Sequence, residues 1–156
     1  MKLFKGAFAA LLMMVGATVS ALAAGADVNT TVTGLALRGF DPVSYFTAGA
    51  PQSGDVNITA EYNGATYRFT TEANRDTFKS DPAKYAPQYG GFCAFGTAMG
   101  FKFDGDPHVW KIVDNKLYLN LSEGVQKRWN EDVPGFIATA DTKWTDIKDT
   151  APSDLQ

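Results

Sequence analysis

The chain has 156 residues, with 14 Lys and Arg against 17 Asp and Glu, a single cysteine and a single histidine. A net charge of −3 without a Lys/Arg cluster argues against nucleic acid or an anionic lipid surface as a partner. One cysteine excludes an internal disulfide, so packing, with aromatics at 13% of the chain, has to hold the fold.

The first residues, "MKLFKGAFAALLMMVGATVSALAAGADV", place Lys2 and Lys5 before an apolar run that ends in small residues around Ala21, Ala23 and Ala24. That is the layout of a secretory signal peptide over 1–23, cut after Ala23. The run is rich in Gly and Ala and short of the roughly 20 strongly apolar residues a spanning helix needs, so no stable membrane anchor is expected. No cysteine stands at the cleavage point and no Arg pair precedes the run, which disfavours a lipoprotein and the twin-Arg route. The expectation is a periplasmic or secreted protein. Its mature charge, without Lys2 and Lys5, is 12 − 17 = −5. Residues 24–148 suffice for one domain with a real core.

Within that domain, Val56, Ile58, Ala60 and Tyr62 alternate with polar residues up to Asn63-Gly64, and a second alternating run follows through Tyr67 and Phe69. An Asn-Gly pair between alternating runs predicts a hairpin. Thr71 then caps a helix with Glu72 in its first turn and Phe78 on its inner face. The order recurs in "VWKIVDNKLYLNLSEGVQKRW": a turn at Asp114-Asn115, strand residues Leu117, Leu119 and Leu121, a cap at Ser122, and a helix bearing Val125 and Trp129. At an offset of 51, Tyr67 falls on Tyr118, Thr71 on Ser122, Phe78 on Trp129 and Asp81 on Asp132, which suggests a degenerate internal repeat. The loops echo as well, "GFDPVSYFTAG" from Gly39 against "GFCAFGTAMG" from Gly91. Asp41-Pro42, Asp81-Pro82 and Asp106-Pro107 are each expected to start a short helix or turn. Val133, Phe136, Ile137, Ala140 and Trp144 keep helical spacing and predict a final amphipathic helix, and the tail 149–156 is expected to fray.

"GFDPVSYF" from Gly39 and "YNGATYRFTTEANRDTFKSDPAKYAPQYGG" from Tyr62 resemble the YHS domain family, small treble-clef-like, metal-associated modules grouped with the TRASH domains. The continuation through "CAFGTAMG" and "KIVDNKLYLN" resembles the exported, stand-alone branch of that family. The resemblance implies metal-binding cysteines just after the DPV sequence and at the start of the helix after the second strand. Here Ser44 follows Val43, and Thr70, Thr71 and Asn74 stand at the helix start, so the thiolates of a zinc site are missing.

A different set of soft donors lies in "GGFCAFGTAMGFKFDGDPH": Cys93, Met99 and His108. Thiolate, thioether and imidazole together suit copper, Cu(I) above all. Against this, nine positions separate Met99 from His108, and the apolar neighbours Phe92, Ala94 and Phe95 suit a structural cysteine. A reactive redox thiol is the third reading of Cys93. The aromatics Tyr85, Tyr89, Phe92, Phe95, Phe101 and Phe103 read as core, with room for a small apolar pocket rimmed by these rings.

The sequence therefore predicts an α+β domain of two pseudo-duplicated strand-turn-strand-helix units closed by a C-terminal helix. Its expected role is a non-enzymatic binding protein for a soft metal such as copper at Cys93, Met99 and His108, with a metal ion, a small ligand or a periplasmic protein as partner. The rival reading is a metal-free structural or interaction module.

Overall fold

The computed structural model describes residues 27–155, so the expected signal peptide and its cleavage point lie outside the described residues. After a 3-10 turn at Leu37–Gly39, the elements run α1 (Ser44–Thr47), β1 (Asp55–Tyr62), β2 (Ala65–Phe69), α2 (Glu72–Ser80) and α3 (Pro82–Tyr85). A second 3-10 turn at Gln88–Gly91 leads into α4 (Ala94–Ala98), β3 (Asp106–Val113), β4 (Lys116–Asn120), α5 (Glu123–Trp129) and α6 (Val133–Ile147). The architecture is mixed α+β: two separate two-stranded antiparallel sheets, β1 with β2 and β3 with β4, and a C-terminal helix.

Both hairpins turn where the residues allow a positive φ. Asn63 and Gly64 stand at φ 49° and 73°, Asp114 and Asn115 at 49° and 58°, values that a tight hairpin turn requires at both central positions. Thr71 Oγ1 accepts from Asn74 N and Ser122 Oγ from Val125 N, each satisfying an orphan donor at a helix start.

Three expectations need correction. Val56 is 62% exposed, not inward, because a bulge between Asp55 and Thr59 breaks the alternation before Ile58. Asp106-Pro107 starts an Asx turn, as one of the two expected outcomes, but no helix: Asp106 Oδ1 accepts from His108 N inside strand β3, and the bulge between Asp106 and Trp110 accommodates a proline that has no N–H to donate. Leu121 lies beyond the end of β4 and is 43% exposed.

The core is in two parts, and β4 divides them. Leu117 and Leu119 pack with Tyr45, Tyr67, Phe69 and Phe78 on one side. Tyr118, between them, packs with Tyr89, Trp129 and Ala140 on the other. A period-2 strand buried on both faces does this, which is why "KLYLN" is apolar without alternation.

Near the C-terminus, Pro152–Leu155 form a single turn of 3-10 helix, and Lys102 Nζ donates to the carbonyls of Lys148 and Thr150 at 2.6 and 2.7 Å. The same ammonium lies over the rings of Phe92 and Trp144, 5.4 and 5.1 Å from their centroids. Among the described residues no helix is long and apolar enough to cross a membrane.

Candidate functional site: an apolar pocket on Cys93

Cys93 stands at the N-terminal boundary of α4, 1% exposed, on a segment pinned by a bond from its N–H to the Phe103 carbonyl at 2.8 Å. Its thiol donates to Asn120 Oδ1 at 3.6 Å, and its sulfur accepts from Gly96 N at 3.4 Å. Burial raises the thiol pKa above its ordinary range, and the backbone N–H groups of Gly96, Leu121 and Phe95 pull it partly back. The resting group is therefore a protonated thiol at neutral pH.

Cys93, though buried, borders a cavity. This pocket, of about 240 Å³, is lined by Phe95, Met99, Phe101, Phe103, Leu121 and Val125 besides Cys93 and Gly96, with no polar surface. Phe101 and Phe103 stack at 5.6 Å along the rim, and Met99, Phe101, Phe103 and Leu121 are 46, 38, 39 and 43% exposed. The predicted apolar pocket thus draws on Phe95, Phe101 and Phe103. The other aromatics of that group lie elsewhere: Phe92 and Tyr89 are buried, and Tyr85 packs edge-on against Phe46.

The structure brings Cys93 and Met99 to one cavity and seats His108 outside it. His108 is an exposed residue of β3 whose ring packs edge-on against Phe40 at 4.9 Å. Among the described residues no group of three or more His, Cys, Asp and Glu side chains is arranged to hold a metal ion. Sulfur donors alone, a thiolate and a thioether, are what this pocket offers.

Sequence reasoning missed Asn120, Leu121 and Val125. Asn120 is fully buried, its Oδ1 also accepts from Phe95 N at 3.2 Å, and its Nδ2 has no hydrogen-bond partner among the described residues. Its signal was faint, a polar residue closing an apolar strand.

The positions at which the resemblance implies cysteines are closed by hydrogen bonds centred on Asp41, itself 0% exposed. Asp41 Oδ1 accepts from Val43 N at 2.8 Å. Its Oδ2 accepts from Thr70 N, Thr70 Oγ1 and Asn74 Nδ2 at 2.9, 2.8 and 2.7 Å. Ser44 Oγ donates to the Asp41 carbonyl and accepts from Gln52 N. These hydroxyl and amide groups do not fit a thiolate-held zinc.

A small α+β domain with a buried thiol under an apolar pocket is the class that fold and site define. Residues 55–89, which span β1, β2, α2 and α3, match the family model of the YHS domain. The match ends before Cys93. No curated protein and no solved structure matches the chain.

Proposed function

We propose that this is a non-enzymatic, exported binding protein that takes a soft metal, Cu(I), on Cys93 and Met99. The observation that carries the reading is that the two sulfur-bearing residues line one apolar cavity. Thiolate and thioether donors select Cu(I) over harder ions, and a dry, apolar wall disfavours hydrated ones. The metal association of YHS modules supports the class of ligand, while the donors are this chain's own and stand outside the matched segment.

Because the thiol rests protonated, binding releases one proton. An anaerobic Cu(I) titration against a competing chelator should give one equivalent bound, with affinity rising about tenfold per pH unit below the thiol pKa. Cys93→Ala should abolish binding, Met99→Leu should weaken it about tenfold or more, and His108→Ala should leave it unchanged. Binding that survives Cys93→Ala, or that His108→Ala destroys, sinks this reading.

A second reading, thiol redox chemistry at Cys93, is favoured by the three backbone N–H groups facing the sulfur, which stabilise a thiolate once formed. No Cu(I) uptake, together with reversible oxidation of Cys93 in the folded protein, would select it. Neither behaviour would leave the metal-free interaction module.

A further inference from the structure

We infer that the chain holds two copies of one unit, one with its pocket closed and one with it open, and that Leu121 and Val125 are the residues that keep the second open and decide what reaches Cys93. The inference deepens the reading of the Cys93 pocket as the binding site and rests on it for the ligand. Its geometry stands independently.

From the first strand of each unit onward, corresponding features lie 51 positions apart. The β-bulge falls between Asp55 and Thr59 in one copy and between Asp106 and Trp110 in the other. Asp55 Oδ1 accepts from Asn57 N at 2.7 Å, and Asp106 Oδ1 from His108 N at 2.8 Å. Thr71 and Ser122 cap the helices that follow. Asp81 and Asp132 cap the next ones, with φ −153° and ψ 73° in one and φ −153° and ψ 69° in the other. Gly54 and Gly105 each pass too close to the second strand for a side chain: an added Cβ would stand 2.5 Å from Arg68 Cβ in one and 2.7 Å from Leu119 Cβ in the other. Propensity alone does not reproduce a bulge, an Asx turn, two caps and a close approach at one spacing.

Before the short helices α1 and α4 the spacing is 52. Leu37 and Tyr89 hold φ 50° and 52°, and Gly39 and Gly91 both hold 85°. Phe40 bridges Ser53 as Phe92 bridges Asp104. Asp41 and Cys93 follow, and each accepts a backbone N–H from the turn it starts. The acceptor that is a carboxylate in the first copy is a thiol in the second.

Around the two acceptors, Asn120 takes the thiol's hydrogen bond where the first copy has Phe69, and two further side chains differ. In the first copy, the hydroxyl of Thr70 and the amide of Asn74 close over Asp41 Oδ2. Their counterparts, 51 positions on, are Leu121 and Val125, which have no donor to offer and instead line the cavity over Cys93. The Leu121 backbone N–H still faces the sulfur, as Thr70 N faces Asp41. The backbone cradle is kept, and the two side-chain lids are replaced by apolar walls. Such walls admit small neutral or soft ligands and exclude hydrated ions.

The test is the rate at which N-ethylmaleimide alkylates Cys93 in the folded full chain, in the absence of metal. Leu121→Thr with Val125→Asn restores the lids and should slow alkylation at least tenfold. Leu121→Ala with Val125→Ala widens the opening and should accelerate it at least threefold, with both variants retaining the wild-type circular dichroism spectrum. Leu121 is exposed and Val125 half-buried, so both pairs are compatible with folding. Rates that do not separate in these opposite directions, or a wild-type thiol that reacts only on unfolding, overturn the inference. Because no copper is present, separated rates with no Cu(I) binding would refute the metal reading alone.

Discussion

Asp41→Ala should destabilise the protein by about 3–4 kcal/mol, read as a shift in a denaturant or thermal transition. The carboxylate sits at 0% exposure and accepts four hydrogen bonds, from Val43 N, Thr70 N, Thr70 Oγ1 and Asn74 Nδ2. Removing it strands the buried Val43 N–H and the half-buried donors of Thr70 and Asn74, and each stranded donor costs its desolvation in proportion to its burial. Asp41→Asn keeps the shape and one carbonyl oxygen but supplies two donors where donors already converge, so about half that loss is expected. The consequence is local as well as global. The Asp41 carboxylate joins the loop before α1 to the start of α2, so hydrogen exchange should rise first across 41–47 and 70–75. A loss below about 1 kcal/mol would mean that the network is not what closes this unit.

Trp129→Ala should cost about 3–5 kcal/mol and take the pocket with it. The indole is fully buried against Tyr118, 5.7 Å between ring centroids, at the end of α5. Val125 lies one helical turn before it, so the residue that fixes α5 in the core also fixes a wall of the cavity. Trp129 Nε1 has no hydrogen-bond partner among the described residues. Trp129→Phe therefore gives up no bond and should cost under about 1.5 kcal/mol. Comparing Cu(I) affinity in the two variants separates packing from chemistry: alanine should weaken binding, phenylalanine should not. Equal losses for Ala and Phe would point to a hidden partner for the indole nitrogen.

Much of the fold was legible because its signals are local. The two turns, Asn63-Gly64 and Asp114-Asn115, demand positive φ and adopt it. The caps Thr71 and Ser122 and the apolar spacing of α6 were visible for the same reason. What failed was set by bulges, which depend on two strands at once. The bulge near Val56 turned an apparent core residue outward, and the one after Asp106 made strand of a sequence that reads as the start of a short helix or turn.

The candidate site was legible only in part. Cys93 and Met99 are close in sequence, separated by one turn of helix, and a short segment can be trusted to keep them on one cavity. His108 lies across a crossover into β3, and its direction depends on a bulge register that composition does not encode. Leu121 and Val125 carry no chemistry of their own. They stand out once set against Thr70 and Asn74, the side chains that close over Asp41 in the first hairpin unit.

The most direct test is copper K-edge X-ray absorption on the protein loaded with one equivalent of Cu(I) under anaerobic conditions. The account predicts a first shell of two sulfur neighbours and no imidazole signature, reduced to one sulfur by Met99→Leu. A shell containing histidine nitrogen, or copper that does not remain with the protein through desalting, would contradict it.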